Sequence, residues 1–341
     1  VISVTICTPD GSVRRGQVPK IYELSAVCSE NRTTGLSLRC GSLPRSWLVR
    51  NARISLFYHV GGRTHLVGGA VWLVKMIKRK RHGVEIEAES GGTLIDAPIV
   101  AHSAGTDGAT ISGLAADDAI KRLARENMID RGFGQYISVA DDTGYGPTID
   151  KAFSRRQLAS VIEEIAEYSR GQGYPIYYDV VQKPAGLAFR TWPNLRGRER
   201  SIVLSEESGG LIDAASAQDW RDEVTAVYAG GRGVGSNRAV RQRVNDEEID
   251  RDPFARSEMF LHATQLTTST ALDAAADTTL AVHKARQYMG GMVAAKYGKE
   301  WQLGDRVRRF FDGQNSFARV ESIEINASSS GVEVRGYLID E

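Results

Sequence analysis

Apolar and polar residues alternate with period two through the first hundred positions. This predicts strands at 2–7, 21–28, 35–39, 53–60, 66–77, 83–89 and 97–102. Thr8-Pro9-Asp10-Gly11 supplies a tight turn after the first of them. From about residue 106 the period changes. Residues 115–128 carry Ile120, Leu123 and Ala124 at helical spacing. Ser154-Arg155-Arg156-Gln157 reads as a capping box, and Leu158, Val161, Ile162, Ile165 and Tyr168 form one apolar stripe behind it. Gly171 and Gly173 end that helix. Two strands follow, 176–181 and 187–192, joined by the turn sequence Lys183-Pro184-Ala185-Gly186. β-Patterning returns at 201–204, 223–228 and 259–265, while the charge-dense stretch 238–257 reads as an exposed loop. Residues 274–297 are Ala-rich and predict a long helix, which Gly290 and Gly291 weaken by ~1 kcal/mol each. A meander over 301–340 closes the pattern.

The same three-stranded pattern is written twice. Arg53-Ile54-Ser55-Leu56-Phe57-Tyr58 is echoed by Arg306-Val307-Arg308-Arg309-Phe310-Phe311. Each copy runs into an apolar segment, 66–74 in one and 317–325 in the other. After a polar turn, Gly83-Val84-Glu85-Ile86-Glu87 matches Gly331-Val332-Glu333-Val334-Arg335. A duplicated β-module around a different middle points to a building part rather than a single-site enzyme. The fold class is mainly β with an α/β middle (α+β), the first segment forming a small barrel or sandwich.

At 341 residues the chain has room for two or three domains and needs no disulfide or metal to hold a core. Its net charge of +1 conceals an uneven distribution. Lys and Arg exceed Asp and Glu by 14 to 7 up to Thr106, and the balance reverses beyond it. Such a split suits head-to-tail electrostatic complementarity between subunits. No apolar run approaches the ~20 residues of a membrane span, and Val1-Ile2-Ser3-Val4 does not begin a signal peptide. Cys7, Cys28 and Cys40 are odd in number and lack a CxxC, so they read as reduced, buried thiols.

Catalytic signatures are missing from the sequence. The six histidines include no pair at i, i+4, and there is no GxSxG. Tyr228-Ala229-Gly230-Gly231-Arg232-Gly233-Val234-Gly235-Ser236 follows a strand as a dinucleotide loop would. Its third-glycine position is Ser236 or Arg238, and no apolar helix follows. The carboxylate pairs Asp141-Asp142, Glu163-Glu164 and Glu247-Glu248 are sequence neighbours, not groups facing across a cleft. No cofactor or metal is expected. The run Lys78-Arg79-Lys80-Arg81 sits at a hairpin tip without interleaved aromatics for base stacking, so it reads as a solvated edge that resists aggregation rather than a nucleic-acid contact, with a protein partner left open.

The order of motifs resembles one family. Cys7-Thr8-Pro9-Asp10-Gly11 and Asn31-Arg32-Thr33-Thr34-Gly35-Leu36-Ser37-Leu38 resemble its opening. Gly173-Tyr174-Pro175-Ile176-Tyr177-Tyr178, Phe189-Arg190-Thr191-Trp192-Pro193 and Arg196 to Arg200 resemble its middle. Val203-Leu204-Ser205, Gly209-Gly210-Leu211, Tyr228-Ala229-Gly230-Gly231, Arg256-Ser257-Glu258-Met259-Phe260 and Trp301-Gln302-Leu303-Gly304-Asp305-Arg306-Val307 resemble the remainder. The family is that of baseplate-hub, or tail-tip, proteins of long-tailed bacteriophages, related to the contractile-phage hub. The resemblance implies two tail-tube-like β-barrels, 1–105 and 201–341, flanking an α/β region at 106–200, with the helix at 274–297 inserted in the second. It implies a structural, non-enzymatic virion protein, assembled in the host cytoplasm as a homotrimer. That trimer would join a sixfold tube to a threefold tip and line the DNA channel used in ejection. Implied neighbours are a distal tail or tail-tube protein, a tape-measure protein and tip or receptor-binding proteins, with DNA passing unread. A tail-tip peptidoglycan hydrolase is one alternative, disfavoured because the chain stops at Glu341 directly after the meander. A carbohydrate- or receptor-binding module using Tyr174, Tyr177 and Tyr178 is another. On the hub reading, Phe57, Tyr58, Trp301, Phe310 and Phe311 anchor the barrel interiors. Gly304 and Asp305 form the turn feeding the last meander, and Lys78, Arg79, Lys80 and Arg81 meet a neighbouring acidic surface.

Overall fold

Strand accounts for 47% and helix for 20% of the computed structural model, as the alternation predicts. The structure describes residues 1–100, 109–153, 155–183, 186–264, 266–283, 286–293, 296–311 and 313–340. They form two compact units. One comprises 1–166, 174–214 and 290–341, and the other 167–173 and 215–289.

Most strands of the first unit belong to a 14-stranded sheet. Its main path runs Leu211–Asp219, Arg286–Val293, Gly331–Asp340, Gln314–Ser328, Ile21–Ser29, Gly35–Cys40, Gly83–Ser90, Trp72–Lys80, Arg53–Val60, Ile2–Cys7 and Arg14–Gln17. Glu199–Leu204, Arg306–Phe311 and Arg63–Leu66 branch from it. Among the described residues no sheet closes into a barrel, so the two expected barrels are instead two open meanders in one sheet. The joint is antiparallel pairing of Ile21–Ser29 with Gln314–Ser328, from Ser29 opposite Ser322 to Glu23 opposite Ser328. One apolar core runs beneath both meanders, through Ile6, Ile54, Trp72 and Ile86 on one side and Trp301, Val307, Ile323 and Ile325 on the other. Each aliphatic side chain buried this fully contributes about 1.5–3 kcal/mol.

The two meanders match in register as well as in pattern. Arg53 faces Leu73, and Arg306 faces Arg319. One residue further on, each middle strand bulges, between Val74 and Met76 in the first copy and between Val320 and Ser322 in the second. A bulge adds one unpaired residue and local twist, so its recurrence at one register makes Arg53 and Arg306 equivalent. The third strands are equivalent two residues away from the sequence match. Lys80 faces Gly83 at the end of the first hairpin, whereas Asn326 faces Glu333 and two further pairs precede the second turn. The sequence match aligned the turns, and the bulges align the sheet.

Local composition misleads in four places. The strand expected at 66–77 begins at Trp72, because Gly68 and Gly69 take positive φ within a short helical turn, Val67–Gly69. A Cβ on Gly68 would lie 3.2 Å from Cys28 Cβ, so the backbone passes close to the neighbouring strand there. The helix expected over 274–297 is Ser269–Val282, and Arg286–Val293 is a strand beside Gly331–Asp340. Two adjacent glycines make helix costly at that point, and sheet pairing is available. The charged 238–257 stretch is not a loop throughout, since it forms strand Val240–Val244 and helix Asp246–Arg251. At 97–102, Ile99 makes only an isolated bridge with Gln157, and 101–102 lie outside the described residues.

The middle contains the expected helices and hairpin. Helix Ala116–Ala124 continues into a wider π-turn segment, Arg125–Phe133. Helix Leu158–Gly171 buries Leu158, Val161, Ile162 and Ile165, while Ser154 lies outside the described residues. The hairpin pairs Ile176–Lys183 with Gly186–Pro193. Two further pairings accompany it: Ala109–Ala115 with Thr148–Phe153, and Ile137–Val139 parallel to Gly186–Pro193. The second unit packs helix Ser269–Val282 on the sheet Val240–Val244, Ala226–Gly230 and Glu258–His262, over Val227, Ala229, Leu272 and Ala276.

Candidate functional site

Most of the residues singled out by sequence fall at one internal joint and one exposed edge. The joint is built around Asp305. Gly304 has φ +80°, and a Cβ there would sit 2.7 Å from Arg196 Cβ and from Glu30 Oε1, so glycine is required by conformation and by space. The turn delivers Asp305, 2% exposed, between two chain segments. Its Oδ1 accepts from the Arg198 amide at 2.9 Å, and its Oδ2 accepts from the Gln302 amide at 2.8 Å and Arg200 Nε at 2.5 Å. Arg198 O accepts from the Arg306 amide at 3.0 Å. This carboxylate therefore locks the parallel pairing of Glu199–Leu204 with Arg306–Phe311.

Beside it, Trp301 is fully buried and meets Tyr297 edge-on at 5.1 Å, and Tyr297 meets Tyr58 at 5.7 Å. Tyr297 Oη accepts from the Gly68 amide at 3.0 Å. These contacts bring Tyr58 of the first meander and Trp301 of the second to one place. Phe57, Phe310 and Phe311 are half-buried and lie outside the core cluster, so they do not fill an interior. The sequence pointed to Gly304-Asp305 as a turn and to Arg196 only as part of a motif; the Arg196 guanidinium is 2.9 Å from largely buried Asp179 and donates to Gly68 O at 2.8 Å. Burial raises the Asp179 pKa against the lowering pull of Arg196.

The exposed edge is the hairpin of Trp72–Lys80 and Gly83–Ser90. Lys78, Arg79, Lys80 and Arg81 are exposed there. Arg79 Nη1 donates to Leu43 O at 3.1 Å, and Lys80 pairs with Glu85, whose pKa is lowered chiefly by that hydrogen bond.

Features that might have carried chemistry are held structurally. Arg238 fills the glycine-rich loop, donating to Gly230 O at 2.8 Å and Gly231 O at 3.1 Å. Asp142 pairs with Arg125, Glu164 with Lys151 and Arg156, and Glu248 with Arg251. Tyr177 and Tyr178 are buried, and exposed Tyr174 meets Tyr145 edge-on. Among the described residues, no group of three or more His, Cys, Asp or Glu could hold a metal, and no helix is long and apolar enough to cross a membrane.

The cysteines are free, with Cys28 and Cys40 buried and Cys7 partly so. Burial raises all three thiols, Cys40 from 9.0 to about 11. A raised thiol stabilises the fold below its unfolded pKa, and that contribution is lost as pH rises through the folded value. Thermal melts from pH 8 to 11 are therefore expected to fall more steeply for the wild type than for Cys40→Ala. Equal slopes would show that Cys40 contributes nothing to the alkaline loss.

No protein-family model and no curated protein matches the chain. Solved structures do. Prophage tail protein gp18 from Listeria monocytogenes EGD-e aligns with TM-score 0.59 at 13% identity, over 99% of this chain and 94% of its own. The 43 kDa tail protein of prophage MuSo2 from Shewanella oneidensis gives 0.59 at 13%, over 99% and 98%. A tail protein from Neisseria meningitidis MC58 gives 0.58 at 12%, over 100% and 97%. The matches run through both meanders and the middle, and the chain has the fold of these phage tail proteins.

Proposed function

We propose that this chain is a structural subunit of a phage tail tip, a homotrimeric hub between a sixfold tube and a threefold tip. The observation that carries the reading is the near end-to-end similarity to tail proteins, which leaves neither chain with a large unmatched part. The duplicated meander supports it, because three chains with two similar modules each present six similar units on a threefold axis. On this reading the protein is not an enzyme. It contacts a distal tail or tube protein, a tape-measure protein and tip or receptor-binding proteins within the virion, and DNA passes through the ring unread. Two meander modules, 1–105 and 201–341, flank the connecting region 106–200. Phe57, Phe310 and Phe311, half-buried in the single chain, are proposed to complete their burial against neighbours.

Native mass measurement with negative-stain imaging tests this. The expected result is a three-subunit ring with a central hole. A monomer at all concentrations, or an assembly without a ring, overturns it.

A further inference from the structure

Gln314–Ser328 uses one of its edges twice. Over 314–319 it pairs with Arg306–Phe311, and over 322–328, past the bulge, with Ile21–Ser29. The equivalent strand of the first copy, Trp72–Lys80, pairs with Arg53–Val60 only at Trp72 and Leu73. Hydrogen bonds with Asn51 and Ala52 extend that contact to Val74. Past its bulge, residues 76–80 have Gly83–Ser90 on the other edge and no strand on this one, among the described residues. Met76 is 42% exposed there.

The missing partner has a counterpart in the second copy. Ile21–Ser29 reaches its own meander through Gly35–Cys40, which pairs with the third strand, Gly83–Ser90. In the second copy Arg286–Val293 pairs with the third strand, Gly331–Asp340, and Leu211–Asp219 lies beyond it. Leu211–Asp219 thus corresponds to Ile21–Ser29, and among the described residues it ends the sheet with no strand on its outer edge.

We infer that Leu211–Asp219 of one copy of this chain adds to the edge at 76–80 of the next, repeating between chains the junction that Ile21–Ser29 and 322–328 make within one. Open edges carry unpaired N–H and C=O groups that another strand satisfies. The charges agree: 76–80 carries Lys78, Arg79 and Lys80, whereas 211–219 carries Asp213 and Asp219 and no basic residue. The contact is heterologous, joining different surfaces of identical chains, and such contacts close into rings when the rotation allows. The inference rests on the homo-oligomeric reading above and specifies the surface that closes the ring.

Hydrogen exchange on the full chain, across a dilution series monitored by native mass, tests it. Amides at 76–80 and 211–219 are expected to gain protection together as the oligomer forms. Lys78→Glu is expected to raise the concentration needed for assembly by roughly tenfold, with the monomer's melting temperature retained. Adding Asp213→Lys and Asp219→Lys is expected to recover assembly. An oligomer in which both segments exchange as in the monomer overturns this junction and leaves the hub reading standing. A chain that never assembles overturns both.

Discussion

Asp305→Ala is expected to lower folding stability by about 3–5 kcal/mol, the usual cost of removing one partner of a buried ion pair. Asp305 is 2% exposed and the Arg200 side chain 10% exposed, so the guanidinium left behind is largely shielded from water. The amides of Arg198 and Gln302 lose their acceptor in the same step. Asp305→Asn keeps an acceptor oxygen and removes the charge, and is expected to cost less than alanine. Urea unfolding of the full chain reads both as shifts of midpoint. A loss below about 1 kcal/mol for alanine, the level of an exposed pair, would show that the corner is held by backbone pairing alone. The strand pair it fixes, Glu199–Leu204 with Arg306–Phe311, distinguishes the copies: Arg53–Val60 pairs antiparallel with Ile2–Cys7, whereas Arg306–Phe311 pairs parallel. A parallel neighbour arrives by a long connection rather than a turn, and a side chain bridging the two chain segments compensates.

Trp301→Ala is expected to cost about 3–5 kcal/mol by leaving a cavity beneath the second meander. The indole lies against Gly336, where a Cβ would come within 2.8 Å of Trp301 Cη2, so this neighbour has no side chain with which to refill the space. Tyr297 loses its edge-on contact with Trp301, and through Tyr297 the disturbance reaches Tyr58 and the Gly68 turn of the first meander. Trp301→Phe, which keeps an aromatic ring, is expected to lose less than half as much. The same urea titration separates the two variants. Equal losses would mean that a phenyl ring recovers none of the indole's packing and that the cost does not follow cavity size.

The duplicated module was legible because alternation with period two is a property of the strand itself. The leading arginine and paired aromatics mark the first strand of each copy, and the bulges confirm that alignment. The third strands were misaligned by two residues because a turn is visible in sequence while hairpin length depends on how far pairing continues. Gly304-Asp305 was legible as a turn. Its electrostatic partners were not, since Arg198 and Arg200 lie more than a hundred residues earlier. The strand Arg286–Val293 was read as helix because Ala-rich composition carries helix propensity, and only the edge offered by Gly331–Asp340 outweighs it.

What the sequence determined by itself is local: strand period, turn chemistry, the helix stripe of Leu158, Val161, Ile162 and Ile165, and the repetition of one meander. Tertiary structure alone decided that the two copies share one open sheet rather than closing into barrels. It also decided that Asp305 would join distant segments, and that 76–80, among the described residues, would lack the strand its counterpart has. The physical reason is that a strand's pattern specifies which face is buried and leaves its edges unspecified. Edges are satisfied by backbone groups that every residue carries, so which strand lies beside which is settled only when the whole chain has packed.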